Sequence, residues 1–493
     1  MAFSLTTTTH SSFKLTSLDV FQCHIQTLER EREMEKIQGA ARKHVLILPL
    51  PLQGHINPML QFSKRLASKG LKVTLLTFTG KPTTQGEDGL LSFESISNTS
   101  EESRMDMDAD DYMKKLQDMV ALKLPAIVAK HEESGFPVSC LIYDSFMPWA
   151  LELARKIGIS PAPFFTESCA VCAIYYALHE GKLKIPTDDE ASVSLQGLPP
   201  LEAYDLPSFF YDLEKYQDVL SYLASQFLNI EEVDWIFCNT FDILEQEMVN
   251  WMANKWPIKS IGPTIPSMFL DKRLEDDKEY GLSLFKPNSD ACMKWLDAKE
   301  PYSVVYVSFG SLAALGEAQM TELAWGLKRS NTCFLWVVRE PEKEKLPNNF
   351  IEETKEMGLV VTWSPQLEVL AHKSVGCFVT HCGWNSILEA LSFGVPMVAM
   401  PQWTDQPTNA KFVSDVWKVG IRVKVDEEGI ATKEEIERCM REVMEGETRN
   451  EMKKNLEKWK KLACLAVDEG GSSDKNIEEF TTKLTCSSNG FKE

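Results

Sequence analysis

Two series of alternating strand-like and helix-like segments, separated by a stretch of different character, constrain this chain more than any other feature. In the first series, 44–52 reads as a strand, 58–68 as a helix, 71–78 as a strand, 140–143 as a strand, 148–156 as a helix and 235–239 as a strand. From 262 to 290 prolines and glycines accumulate beside the charged run 271–279, so a linker is expected there. A second alternation opens at 303–308 and passes through strands at 358–362, 376–381 and 396–401. Strands that alternate with helices need right-handed crossovers, which build parallel sheets. At 493 residues the chain also exceeds one ordinary core. The expected organisation is α/β: an extension at 1–42, a parallel-sheet domain at 43–262, a linker at 263–290, a second domain at 291–470, and a helix with tail at 471–493.

Charge and composition narrow the partners. A net charge of −20 argues against nucleic acid and anionic membranes, which need clustered Lys and Arg. No apolar run approaches the roughly 18 residues of a membrane span, so no stable membrane insertion is expected. Twelve cysteines lack a paired pattern, and Cys140, Cys238 and Cys377 fall in strands, which suits reduced thiols in a cytoplasmic protein. Cys169 and Cys172 have metal-like spacing, but with no second pair and apolar neighbours they read as a packed helix. Asp106, Asp108 and Asp110 follow no apolar strand and read as a solvated loop and helix cap. The opening residues read either as preceding an alternative start at Met34 or as a weak transit signal, acid-poor over the first eighteen residues but without arginine there.

The chemistry concentrates between Trp363 and Gln406. The strand ending at His381 runs through a glycine turn into a helix beginning near Trp384, and such a junction aims unpaired N–H groups and a positive dipole end at an anion such as a diphosphate. Asn385 and Ser386 add short donors in the first turn, and His381 can offer an N–H to a phosphate oxygen. Glu389, three residues after Ser386, can accept from ribose hydroxyls. Trp363 ends another strand, where an indole can stack on a base, and Gln366 offers a donor and an acceptor to base or ribose. Asp405 and Gln406 together suit neutral sugar hydroxyls. Core packing gives no reason for so many polar side chains to gather at one sheet edge.

This box, with Trp363 first, His-Cys-Gly-Trp-Asn-Ser in its middle and Gln406 last, resembles the signature of plant family-1 UDP-sugar glycosyltransferases that use glucose. The similarity extends from about 43 to about 485 and takes in Ile-Tyr-Asp-Ser-Phe-Met-Pro-Trp-Ala at 142–150 and Val-Ser-Phe-Gly-Ser at 307–311. The subgroup resembled acts on phenols and carboxylic acids. The resemblance implies two Rossmann-like domains facing across a cleft, the glycosyltransferase-B architecture, with the last helix crossing back onto the first domain. It further implies Trp363 on uracil, Gln366 on base and ribose, and Glu389 on ribose. His381, Asn385, Ser386 and Ser311 would hold the phosphates, with Trp384, Asp405 and Gln406 at the glucose and Thr166 reaching the sugar or its phosphate.

His55 follows a glycine just before a helix, and Asp144 ends a neighbouring strand. A carboxylate on one imidazole nitrogen fixes the tautomer and steadies the ring once protonated, and the family carries such a pair in these contexts, so His55 is expected as general base and Asp144 as its partner. The expected reaction is inverting transfer of glucose from UDP-glucose to a hydroxyl or carboxyl of a small lipophilic acceptor, without a metal, by a monomer. Aromatic and apolar residues at Phe146, Met147, Trp149, Phe164, Phe165, Tyr175, Phe209, Phe210 and Tyr211 could line the acceptor site or belong to the core. The alternative is a non-catalytic metabolite sensor, against which His55 and Asp144 weigh. A nicotinamide enzyme is disfavoured because Gln53-Gly54-His55 stands where a Gly-x-Gly-x-x-Gly turn would be, and Gly80-Lys81 lacks the rest of a phosphate loop.

Overall fold

The computed structural model describes residues 43–78, 89–96, 109–183, 192–282 and 285–486. The expected extension, Met34, Gly80-Lys81, Asp106, Asp108 and the side chain of Asp110 lie outside the described residues.

Seven parallel strands form the first sheet: β1 (His44–Leu48), β2 (Lys72–Thr77), β3 (Leu91–Ser95), β4 (Val138–Asp144), β5 (Ser160–Phe165), β6 (Ile236–Cys238) and β7 (Ile258–Ser260), in the order β3-β2-β1-β4-β5-β6-β7. Six more form the second: β8 (Val304–Ser308), β9 (Cys333–Val337), β10 (Gly358–Val361), β11 (Val375–Thr380), β12 (Met397–Ala399) and β13 (Gly420–Arg422), in the order β10-β9-β8-β11-β12-β13. Positions in β1, β8 and β11 are all buried, as expected of strands covered by helices on both faces. Each sheet reverses its winding once, between β1 and β4 and between β8 and β11. Connections leaving adjacent strands at such a point diverge to opposite faces and open a crevice at the strands' carboxyl ends.

Ser160–Phe165 departs from its local signal, because Pro161 and Pro163 argue against an interior strand. It is tolerated since β6 pairs only with Phe164 and Phe165, leaving the proline-bearing half with β4 as its one partner. The helix expected at 58–68 begins earlier, at Gln53, with Leu52 extended before it. His55 therefore sits in a helical first turn rather than on a preceding loop, and Pro58 lies inside the helix.

The charged run in the interdomain segment is tied to that helix: Arg65 donates two hydrogen bonds to Asp271, and Lys64 pairs with Asp277 at 2.7 Å. The final helix, Ser472–Cys486, returns to the first domain, where Ile477, Phe480 and Leu484 pack with Val45, Ile47 and Phe62. Among the described residues no helix is long and apolar enough to cross a membrane.

Candidate active site

The carboxyl ends of the two sheets enclose a cavity of about 670 Å³. Twelve of the thirteen site residues expected from the sequence line it, and the thirteenth, Asp144, stands directly behind His55.

His55 leaves β1 through the first helical turn, and Asp144 is the last residue of β4, so both belong to the first sheet's point of reversal. His55 Nδ1 lies 2.7 Å from Asp144 Oδ2 and 3.0 Å from Thr166 Oγ1. An acceptor-only carboxylate assigns the proton to Nδ1, which leaves Nε2 as the basic nitrogen. Asp144 is fully buried, and its oxygens also accept from the backbone N–H groups of Phe146 at 3.0 Å and Leu50 at 3.4 Å. These donors offset the cost of a buried charge and hold its geometry. The Phe146 ring meets the imidazole edge-on at 5.1 Å.

On the opposite wall, Ser311 follows β8, and His381 follows β11 at the second point of reversal. The imidazole of His381 is wedged between Gly310 and Gly383: a Cβ on either would fall within 2.8 Å of the ring, so glycine is required on both sides. Burial pushes His381 down to about 4, so the ring is neutral, and its buried Nδ1 has no hydrogen-bond partner among the described residues. Arg339 donates to the carbonyls of Ser311 and Ala313 and props this loop from behind. The helix Trp384–Phe393 starts beside it, with Gly383 extended at its N-cap.

The amide of Asn385 is already engaged. Its Nδ2 donates to Gly54 O at 2.6 Å, and its Oδ1 accepts from Asn239 Nδ2 at 3.1 Å. Gly54 O is available because Pro58, four residues on, has no N–H to donate back along the helix. A proline thus opens a carbonyl that joins the two domains one residue from His55. Trp384 is similarly committed, its Nε1 donating to Asn239 O at 2.6 Å while its ring lines the cavity.

At the end expected to take the base, Trp363 stacks on Phe285 with ring centroids 4.3 Å apart. Gln366 Nε2 donates to Ser386 Oγ at 3.0 Å and Glu389 Oε2 at 2.6 Å, and its Oε1 accepts from the Tyr306 hydroxyl at 3.1 Å. Tyr280 donates to Glu389 Oε1 at 2.7 Å. Burial raises the Glu389 carboxyl to about 7, against the opposing effect of these two donors. At the other end Asp405 accepts from Thr404 Oγ1 and Asn409 Nδ2. Gln406 Oε1 accepts from the backbone of Gln402 and Trp403.

The aromatic candidates divide, although Tyr175 belongs to both the core and the cavity wall. Phe146, Tyr175 and Phe209 line the cavity, joined by Met113, Val219, Tyr222 and Leu223. Met147, Phe164, Phe165 and Phe210 are core, Trp149 packs partly buried against that core, and Tyr211 faces solvent. Sequence reasoning did not find Asn239, Tyr280, Phe285 or Glu167 as cavity neighbours. Asn239 carried the one usable signal, a polar residue closing an apolar strand.

A fold and a cleft of this kind define a sugar-nucleotide transferase, and comparison with known proteins agrees. The family model described as "UDP-glucoronosyl and UDP-glucosyl transferase" matches residues 229–462. UDP-glycosyltransferase 74E2 of Arabidopsis thaliana is 53% identical over 445 residues, 89% of this chain and 98% of that protein. Mogroside I-E synthase of Siraitia grosvenorii is 52% identical over 447 residues, 90% of this chain and 98% of the relative. The crystal structure of Os79 from O. sativa in complex with UDP superposes with a TM-score of 0.84 at 40% identity, covering 89% of this chain and all of that one. Os79 has also been crystallised with a trichothecene, at a TM-score of 0.81 and 39% identity over the same coverage. The chain belongs to the plant UDP-glycosyltransferase family and is a glycosyltransferase that uses a UDP-sugar.

Proposed function

We propose that this enzyme transfers glucose from UDP-glucose, with inversion, to a hydroxyl or carboxyl group of a small lipophilic acceptor, yielding a β-glucoside or a glucose ester. The observation that carries this reading is that His55, backed by Asp144, shares one cavity with the Trp363, Gln366, Glu389 and Asp405–Gln406 groups. Trp363 is assigned to the uracil, Gln366 and Glu389 to base and ribose, and His381, Ser386, Asn385 and Ser311 to the diphosphate. Thr166, Trp384, Asp405 and Gln406 are assigned to the hexose. The apolar wall at Phe146, Tyr175 and Phe209 supports a lipophilic acceptor.

In this scheme His55 Nε2 takes the acceptor's proton as its oxygen attacks the anomeric carbon from the side opposite UDP, and Asp144 stabilises the resulting imidazolium. The bond from that carbon to the β-phosphate oxygen breaks, and charge gathers on the departing diphosphate. The first turn of the helix Trp384–Phe393 is oriented to receive it. A carboxylate acceptor arrives ionised and depends less on His55. The buried, unpaired cysteines among the described residues suit the cytoplasm. Incubation with radiolabelled UDP-glucose and a panel of phenols and carboxylic acids, read by product mass and anomeric configuration, tests the reading. Release of UDP without a glucosylated product, or an α-linked product, would overturn it.

Glu389 supplies a pH test. Its carboxyl sits near 7, and only the ionised form accepts from two ribose hydroxyls, so UDP affinity should weaken as pH falls below 7, towards about tenfold per pH unit. Glu389→Gln should bind UDP more weakly and lose this component of the slope. Titration calorimetry from pH 5.5 to 8 reads both, and identical slopes in the two proteins would remove Glu389 from the ribose.

A further inference from the structure

Glu167 is a carboxyl group that the assigned machinery leaves without a task. It is 6% exposed, lies on the cavity wall, and follows Thr166, whose hydroxyl touches His55. The next residue, Ser168, crosses the cleft to donate to Asn409 Oδ1 at 3.0 Å, and Asn409 donates to Asp405 Oδ2 at 2.6 Å. Glu167 is thus held from one side at the base and from the other at the Asp405 turn. Its own hydrogen-bond partner among the described residues is a weak one, the Cys172 thiol, 3.4 Å from Oε1. A buried carboxyl with so little satisfaction is costly unless something entering the cavity completes it.

We propose that Glu167 is a specificity-determining residue for the transferred sugar, acting with Asp405 as a carboxyl pair that donates to one hydroxyl of a neutral hexose and accepts from another. The inference rests on the assignment of the Asp405–Gln406 end to the hexose. Glu167 and Asp405 line the same cavity, and buried carboxyls that face one space oppose each other's ionisation. Burial raises Glu167 well above the ordinary carboxylate range, and Asp405 and Asp144 add to the rise. Burial likewise raises Asp405, against its hydrogen bonds from Thr404 and Asn409 and, less strongly, against His55. Burial, with Glu167 and Asp405 adding to it, also raises the hydroxyl of Tyr175 on the cavity wall. With Glu167 protonated and Asp405 ionised, the cavity wall offers a donor and an acceptor to the sugar's hydroxyls. A hexose bearing its own carboxylate would meet like charge there, so the pair selects neutral sugars. As pH rises and the second acid ionises, the donor is lost and the grip on the sugar weakens.

The test compares the parent enzyme with Glu167→Ala and Glu167→Gln, using UDP-glucose, UDP-glucuronic acid and UDP as probes. Glu167→Ala should raise the KM for UDP-glucose about 10- to 100-fold and narrow the preference over UDP-glucuronic acid. Inhibition by UDP, which lacks the sugar, should change no more than about twofold. Glu167→Gln keeps an N–H donor and cannot ionise, so it should raise that KM by no more than about threefold and flatten its alkaline rise. The parent's own UDP binding and transfer report separately on the donor-site assignment. The proposal is overturned if Glu167→Ala alters the acceptor KM or UDP inhibition instead of the UDP-glucose KM. It is overturned equally if Glu167→Gln keeps the parent's pH profile, or if the preference for UDP-glucose is unmoved.

Discussion

His55→Ala is expected to lower kcat with a phenolic acceptor by about 10²- to 10⁴-fold while UDP affinity stays near the parent value. At the cavity wall the imidazole has Nδ1 held by Asp144 and Thr166, which leaves Nε2 for the proposed role of base. Without it the acceptor oxygen must attack as a neutral hydroxyl. With a carboxylic acid acceptor the loss should be smaller, because that nucleophile needs no deprotonation. Single-turnover rates on a phenol and an acid, together with UDP binding, separate these cases. An unchanged phenol rate would remove His55 from the mechanism.

Asp144→Asn carries the second large effect. The amide preserves volume, yet it can present an N–H to His55 Nδ1, which turns the proton to Nε2 and removes the base. A fall in kcat of about 10²- to 10⁴-fold is expected. Asp144 also accepts from the backbone of Leu50 and Phe146, so some loss of thermal stability should accompany it. The decisive measurement is the double variant. Since both residues serve one proton transfer, adding Asp144→Asn to His55→Ala should cost little further rate. Full additivity would mean that Asp144 acts on the reaction by a route other than His55.

The half of the cavity proposed for the donor was legible as a cluster, because its residues are close in sequence and the strand-turn-helix that carries them orders them in space. Trp363, Gln366, His381, Ser386 and Glu389 needed only local periodicity to be placed at one edge. The pairing of His55 with Asp144 was harder to see, for 89 residues separate them. The helix boundary at Gln53 was missed because Pro58 looked like a first helical position. Its actual effect, an unclaimed Gly54 carbonyl, has meaning only when Asn385 of the other domain is beside it. The acceptor wall was not legible either, since Phe146 and Phe165 look alike in a sequence and differ only in what packs against them.

The sequence by itself determined the strand-helix alternation, the glycine turns and the polar residues at strand ends, since each follows from dihedral preference and hydrophobic period acting over a few neighbours. The tertiary structure alone decided that both sheets reverse at the strands bearing these residues, that Tyr280 and Glu167 join the cavity with Asn239 bonded to its wall, and that the two lobes are bound beside His55. Strand order and domain apposition are set by non-local burial, a property of the closed core that no short segment carries.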